Sequence, residues 1–308
     1  MQDWKVIISK KSGGGKAFDE WPAIKKLLTA KGLKFSEAFT EHRFHAEELA
    51  REAVLEGYRK ILAIGGDGAI HEILNGVMSQ SEVPTAEIIF GIIPVGSGND
   101  WSRLYDIPKN HEQAVEALCR GKAVSQDVVA VDSMLDGKPY RRYMMNIGGL
   151  ALDAHVCHLF DLAKLKGHSG DAQYFKCLMK SFLWYRCQNF RIYVDGERFF
   201  EGPAISVALG NGKYCGGGLR QTPDAEPDDG LLDLTVVSRV SRMRFVFSVR
   251  RILDGGIKKL KAVKCARGTK IQVYASPASF VEVDGEPVGC SPVTFTVIPS
   301  AVNVISNL

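Results

Sequence analysis

No stretch of this 308-residue chain approaches the roughly 18 consecutive apolar residues of a membrane-spanning helix. The opening residues, MQDWKVIISKK, lack the apolar core of a secretory signal, so a soluble or at most peripheral protein is expected. Paired cysteines are missing as well. The seven thiols, at 119, 157, 177, 187, 215, 265 and 290, are odd in number and include no C-x-x-C, which argues against a disulfide framework or a structural zinc site and for reduced thiols in the cytoplasm. Repeats and low-complexity tracts are absent. Neither sign of charge dominates: 39 Lys and Arg stand against 35 Asp and Glu, a formal net of +4, and no nucleic-acid partner is expected.

What the chain does contain is an ordinary globular composition, 45% hydrophobic and 24% charged, at a length that suits two domains or one large one. Its charge is unevenly spread. From Arg239 to Arg267 ten basic residues face one acid, Asp254, so that this segment carries +9 and the remainder −5. Such a run is either a solvated helix face or a surface that meets anionic lipid or a phosphorylated ligand; Phe245, Val246, Phe247 and Ile252, set among its arginines, suit an interfacial helix.

Strand and helix patterns alternate through the first part. Trp4–Ser9, Leu33–Thr40, Ile61–Ile64 and Ile88–Pro94 read as apolar strands, and the stretches around Ile24–Leu28, Ala46–Tyr58, Ile70–Val77 and His111–Arg120 as helices. Strands buried on both faces and separated by helices imply an α/β domain with a parallel sheet over about 1–127. After Asp127 short strand-like runs crowd together, from Val128–Ser133 to Thr294–Ile298 and Val302–Ile305, punctuated by Asp-Gly turns at 136, 195, 229 and 284. An antiparallel β-sandwich over about 128–295 is expected, interrupted by helical insertions near 153–188 and 240–260. With no long linker, the halves are expected to pack closely around a cleft.

Glycine-rich turns follow three strands of the first part. SGGGK spans Ser12 to Lys16, GGDG spans Gly65 to Gly68, and GSGND spans Gly96 to Asp100. At the carboxyl edge of a parallel sheet such turns bring backbone N–H groups and a helix N-terminus to a phosphate. A carboxylate there, Asp67 or Asp100, suits a bound Mg²⁺ or an oriented hydroxyl rather than the phosphate itself. Neither G-x-G-x-x-G nor the Walker pattern is matched, and Gly98 directly after Ser97 rules out a hydrolase elbow.

GGDGAIHEILNG followed about thirty residues on by PVGSGND resembles the diacylglycerol-kinase catalytic domain, the lipid-kinase family that includes sphingosine and ceramide kinases. ALGNGKYCGGGLRQTPDAEPDDGLLDL (Ala208–Leu234) and VEVDGEPVG (Val281–Gly289) resemble pieces of that family's second domain. The resemblance implies an ATP- and Mg²⁺-dependent lipid kinase, with diacylglycerol or a related lipid as acceptor. ATP would be bound by Ser12, Gly13, Gly14, Thr40, Gly65, Gly66, Asp67, Gly68, Ala69, Glu72, Gly96, Ser97, Gly98, Asn99 and Asp100. Asp284 would be the base for the lipid hydroxyl, with Glu286 as second candidate and Asp67 near the reacting phosphates. Asp229, through a side-chain oxygen, and Glu226 and Leu231, through backbone carbonyls, would hold a structural metal. The last strand, about 296–308, would complete the first domain. Expected partners are the lipid, an anionic membrane surface and a second copy of the chain.

Several residues depart from the family pattern. Ala69 stands where a Thr is usual, His71 where an Asn is common (a histidine there is closer to sphingosine kinases), and Lys10-Lys11 where Asn-Pro is usual. Asp153 falls where sphingosine kinases place a carboxylate that reads the lipid headgroup; read alone, it is a helix N-cap. Read alone, Asp284 is the first residue of an Asp-Gly hairpin turn. His42 and His45 have the spacing of a helical metal pair without an evident third ligand. Phe175, Leu178, Met179, Phe182, Leu183 and Trp184 form a helical apolar face, either core or the wall of an acyl-chain pocket.

Overall fold

The computed structural model describes residues 3–96, 98–168, 170–241 and 254–308. Ser97 and the part of the basic segment that carries Phe245, Val246, Phe247 and Ile252 lie outside the described residues. The chain divides into two units, Met1–Val128 with Pro299–Leu308, and Val129–Ile298.

The first unit alternates β1 (Trp4–Ile8), α1 (Lys16–Ala30), β2 (Phe35–Phe39), α2 (His45–Leu55), β3 (Lys60–Gly65), α3 (Asp67–Met78), β4 (Ile89–Pro94), a short α4 (Asp100–Leu104) and α5 (His111–Arg120). β1 lies between β2 and β3, β3 pairs with β4, and every one of these pairings is parallel. Asn303 and Val304, near the end of the chain, add a further parallel strand beside Ile89 and Phe90. The Asp127 carboxylate holds that return by accepting the Ser300 N–H at 2.7 Å. Ile61, Leu62, Ala63 and Ile64 are fully buried, as a strand covered by helices on both faces requires.

The second unit contains β5 (Lys122–Leu135), β6 (Lys138–Met144), β7 (Ile147–Ala151), α6 (Leu152–Leu165), α7 (Asp171–Trp184), β8 (Gln188–Val194), β9 (Glu197–Gly210), β10 (Leu232–Ser238), β11 (Val263–Gly268), β12 (Lys270–Ser276), β13 (Phe280–Val283) and β14 (Glu286–Ser306). β5 and β14 carry the chain between the units. The pairings are antiparallel: β6 with β5, β7 with β9 and β13, β10 with β9 and β11, β8 with β9 and β12, and β14 with β12 and β13. The long β9 pairs with β8 through its first half and with β7 and β10 through its second. Val207, Leu234, Val281 and Phe295 lie in the core enclosed by these strands.

Several expected elements take another form. The helical insertion expected at 153–188 consists of two helices, α6 and α7. The described end of the 240–260 insertion is a turn and a single short 3₁₀ turn, Gly256–Lys259, because Asp254 Oδ1 accepts the Gly256 N–H and Gly255 turns left-handed. The runs at 294–298 and 302–305 belong to one strand, β14. β7 and β11 are strands that apolar alternation does not announce, the first because it carries Gly148 and Gly149, the second because it lies in the basic run. Of the apolar face on α7, expected as core or as the wall of an acyl-chain pocket, Phe175, Met179, Leu183 and Trp184 are exposed and Leu178 and Phe182 are half-buried.

Candidate active site

Three loops of the first unit meet at the carboxyl edge of its sheet. Ser9 N–H donates to the Ile64 carbonyl and Val95 N–H to the Gly65 carbonyl, which sets the loops after β1, β3 and β4 side by side. A Cβ on Gly65 would lie 2.8 Å from the Ala69 Cβ and 3.0 Å from Ser12 Oγ, so only glycine lets β3 turn into α3 beneath the Ser12 hydroxyl. Gly13 packs against Val95, where a Cβ would sit 3.6 Å from its carbonyl oxygen. Ser12, Gly13, Gly14, Gly65, Gly66, Gly68, Ala69, Gly96 and Gly98 therefore share one edge, as expected for a phosphate-binding surface. Thr40 is buried at the end of β2, and its Oγ1 accepts the Lys10 N–H at 3.1 Å. The Lys10 ammonium lies 5.7 Å from the centre of the Phe39 ring, so this lysine is engaged in a cation–π contact rather than committed to a phosphate.

Asp67 does something the motif does not announce. Its carboxylate accepts the backbone N–H groups of Asp100 and Trp101, both at 3.1 Å, and so caps α4 from the neighbouring loop. Trp101 is fully buried, and its indole N–H and the Tyr105 hydroxyl both donate to Gln126 Oε1, at 3.1 and 2.6 Å. The Gly-Ser-Gly loop is thus tied down at both ends of α4. Within it, Asn99 Nδ2 donates to the Gly96 carbonyl at 2.8 Å, while Asn99 Oδ1 is buried with no hydrogen-bond partner among the described residues. That oxygen lies where a Cβ on Gly96 or Gly66 would come within 3.0 or 3.3 Å. A Cβ on Gly98 would meet Asp67 Oδ2 at 3.1 Å and Asp100 Oδ2 at 3.6 Å. Two carboxylates and an orphan amide oxygen around bare backbone form a set of hard oxygen donors that fits Mg²⁺ or a ligand hydroxyl.

Glu72, expected as a nucleotide contact, serves a helix terminus, and His71 lies inside α3. Glu72 accepts the N–H groups of Phe44 and Ala46, at 3.1 and 3.2 Å, and caps α2 rather than facing the glycine loops. His71 is buried in α3, beside Asn75, whose side-chain amide donates to the His71 carbonyl at 2.9 Å. The His42–His45 pair gains the third side chain that spacing alone did not show. His42, His45 and Glu48 each bring one possible ligand atom within 4.8 Å of the others, although His45 Nδ1 already accepts the Glu41 N–H.

In the second unit the hairpin between β13 and β14 carries Glu282, Asp284 and Glu286. Asp284 sits at φ 51°, and its carboxylate accepts three backbone N–H groups, from Met145, Asn146 and Ile147, at 3.0, 2.9 and 3.2 Å. Glu286 accepts from the Lys164 ammonium at 3.2 Å. Glu282 is buried, with Oε2 accepting the Gly285 N–H at 3.0 Å. Gly149 of β7 makes room for it, because a Cβ there would lie 2.9 Å from Glu282 Oε1 and 3.5 Å from the Asp153 Cβ. Asp153, at the start of α6, accepts the Ser206 hydroxyl at 2.6 Å and a side-chain hydrogen bond from Gln221.

Burial raises both carboxyls above the ordinary range, Glu282 strongly, with Asp153, Asp284 and Glu286 adding to the rise and the Gly285 N–H opposing it. Stability held by their neutral forms is fully present below the ordinary carboxylate range and is lost as pH rises through the raised folded-state values. Glu282→Gln keeps an oxygen for the Gly285 N–H and removes the buried charge. We expect it to raise the thermal midpoint at pH 7–8, by about 2–4 °C for each kcal/mol relieved, and to leave it unchanged at acid pH. Melting curves across pH check this, and an equal shift at every pH would refute the buried-charge account.

The acidic loop expected to hold a metal is neutralised by protein. Asp229 Oδ1 accepts the Leu231 N–H at 3.0 Å, and Arg267 donates to both Asp229 Oδ2 and Asp233 Oδ2. Glu226 is exposed, and Lys258 pairs with Asp224. A cation at Asp229 would compete with Arg267 for its carboxylate. In this described part of the basic run, Lys258 and Arg267 are paired with acids of their own unit.

Glu282, Gln126 and Trp101 were not singled out from sequence. Glu282 carried a usable signal, as a carboxylate alternating with Asp284 in a strand otherwise buried; Gln126 carried none.

A glycine-lined edge of a parallel sheet in one unit, with a carboxylate hairpin on an antiparallel sheet in the other, defines the class of two-domain kinases. Residues 3–131 match the diacylglycerol kinase catalytic domain, and residues 149–306 match the YegS C-terminal NAD kinase beta sandwich-like domain. The chain belongs to this lipid-kinase family and is a phosphotransferase. A Staphylococcus aureus protein named "Putative lipid kinase" is 25% identical over 248 residues, which cover 80% of this chain and 76% of the relative. A solved structure titled "A putative diacylglycerol kinase from Bacillus anthracis str. Sterne" superposes with a TM-score of 0.78 at 22% identity, over 99% of this chain and 97% of that one. An NAD kinase from Archaeoglobus fulgidus in complex with ATP shares the fold more distantly, with a TM-score of 0.50 at 13% identity over 99% and 94% of the two chains. Among the described residues no helix is long and apolar enough to cross a membrane.

Proposed function

We infer that the protein transfers the γ-phosphoryl group of ATP to the hydroxyl of a lipid alcohol, with diacylglycerol or a close relative as the first reading. The observation that carries this is the convergence of three glycine turns under Ser12 and around the orphan Asn99 oxygen, in a chain matched by the family along nearly all its length. Backbone N–H groups of the Gly65–Gly68 and Gly96–Gly98 turns bind the phosphates, and the N-terminus of α3 adds its partial positive charge. A divalent cation such as Mg²⁺ would be held by Asp67, Asp100 and Asn99, and would supply charge neutralisation for the phosphates. Phosphoryl transfer then needs mostly positioning and a group to receive the alcohol proton.

The Val283-Asp284-Gly285-Glu286 hairpin supplies that group. Asp284 spends its lone pairs on three amides, whereas the Glu286 carboxylate is turned to an exposed lysine, which favours Glu286 as the base and Asp284 as its holder. A second reading is favoured by Asp153. A half-buried carboxylate at the start of α6, beside Glu282, could take the charge of a protonated amine, as in a sphingoid base, which would offset the burial that otherwise favours its neutral form.

Labelled ATP with diacylglycerol, monoacylglycerol, sphingosine, ceramide and phosphatidylglycerol separates these readings. A neutral glycerolipid as best acceptor supports the first. Sphingosine as best acceptor, with activity lost on Asp153→Asn, supports the second. Phosphorylation of NAD but of no lipid would refute both.

A further inference from the structure

We propose that His42, His45 and Glu48 form a binding site for a divalent ion of the zinc class at the corner between β2 and α2. The turn that carries them is strained. Phe44 adopts a left-handed backbone, φ 64°, which a bulky residue takes only under constraint. The constraint comes from α3, where the Glu72 carboxylate accepts the Phe44 and Ala46 N–H groups at 3.1 and 3.2 Å. The turn folds His42 back toward the start of α2, where His45 and Glu48 stand three residues apart on one face. Each of the three side chains offers one ligand atom within 4.8 Å of the other two, and no other such trio occurs among the described residues.

The hydrogen bonds around these residues set which atoms bind. A carbonyl only accepts, so His42 Nδ1–H donates to the Arg43 carbonyl at 3.0 Å and leaves Nε2 a bare lone pair. A carbonyl behind the ring is the usual outer support of a metal-bound histidine. His42 Nε2 lies 3.9 Å from Glu48 Oε2, too far for a hydrogen bond. It is close enough for both to reach one ion through bonds of about 2.0–2.2 Å. The Glu41 N–H donates to His45 Nδ1 at 3.0 Å, so His45 ligates through Nδ1 by giving up that bond, which water replaces on this exposed turn. The two rings stack with centres 4.5 Å apart and planes 13° from parallel. They must turn about χ2 to aim at one ion, and the His42 side chain, 57% exposed, has room to do so. The N-terminus of α2 disfavours a cation, but Glu41, Glu47 and Glu48 bring three carboxylates against Arg43. Two imidazoles and a carboxylate, with a fourth position for water, suit Zn²⁺ or Co²⁺, whereas Mg²⁺ and Ca²⁺ prefer oxygen alone. The ion is therefore a second one, apart from any held by Asp67 and Asp100, and it fastens His42 to the first turn of α2. This inference does not rest on which group the protein phosphorylates, and its test needs no turnover.

The full-length protein, free of ATP, is titrated with Co²⁺ as a spectroscopic substitute for Zn²⁺, while the ring signals of its seven histidines are followed by NMR. We expect the first equivalent to act most strongly on two ring signals, those missing from His42→Ala and from His45→Ala, and on the Glu41 amide. Cys119 and Cys265 are exposed and compete for such ions, so the near-ultraviolet band of a cobalt thiolate should be absent at this stage. Zn²⁺ should displace the Co²⁺, and a large excess of Mg²⁺ should not. His42→Ala and Glu48→Gln should each weaken Co²⁺ binding at least about tenfold, with the melting temperature of the metal-free protein unchanged. Histidine signals that do not respond, a first equivalent taken by thiols or by other histidines, or binding as tight in both variants as in the wild type would each overturn the proposal.

Discussion

Asp67→Asn is expected to lower kcat/KM for ATP by about a hundredfold or more, a loss typical of removing one preorganised charged group from a phosphoryl-transfer site. The structure gives this residue two duties. Its carboxylate accepts the N–H groups of Asp100 and Trp101, and one of its oxygens lies with an Asp100 oxygen around the side-chain-free Gly98. An asparagine keeps one acceptor for α4 but turns an NH₂ group toward the other amide, so some stability is also lost, about 1–2 kcal/mol. The two duties separate in measurement. Loss of the cap alone would lower the melting temperature and leave the Mg²⁺ dependence of the rate unchanged. Loss of the charge would move the Mg²⁺ concentration needed for half-maximal rate upward. Both shifts together are expected. A lower melting temperature with unchanged turnover would reduce Asp67 to a helix cap.

The double duty of Asp67 shows what sequence can and cannot reveal here. The strand that ends in GGDG and the helix that follows were legible because fully apolar Ile61–Ile64 and the spacing of Ile70, Ile73, Leu74 and Val77 leave few alternatives. The meeting of three loops on one edge was legible too, since parallel strands place their carboxyl ends together. The partners of each carboxylate were not. Glu72 looks like a motif residue, yet it caps α2, a helix that begins 27 residues earlier in the chain. Asp229 looks like a metal ligand, yet Arg267, far along the sequence, reaches it because β11 pairs with β10. Such contacts depend on register, which short-range pattern does not specify. The exposure of Phe175, Met179 and Leu183 on α7 has a similar origin. Hydrophobic spacing locates a helix's apolar stripe but does not say whether protein or something else covers it.

Asp284 and Glu286 are separated by the second large effect. Asp284→Ala would strand the N–H groups of Met145, Asn146 and Ile147 and place an alanine at φ 51°, so a loss of stability of several kcal/mol is expected along with all measurable turnover. That result alone could not tell a holder from a base. Asp284→Asn can, because asparagine accepts the left-handed backbone and keeps an acceptor for two of the three amides. If Glu286 is the base, Glu286→Gln lowers kcat by about 10²–10⁴-fold with a near-native melting temperature. Asp284→Asn then costs stability in proportion to activity. The Lys164 ion pair adds a check, since Lys164→Met removes that partner from Glu286 and should change kcat without unfolding the hairpin. The opposite pattern, a stable but inactive Asp284→Asn beside an active Glu286→Gln, would return the proton-accepting role to Asp284. It would also mean that three amide donors hold the proton acceptor itself in place.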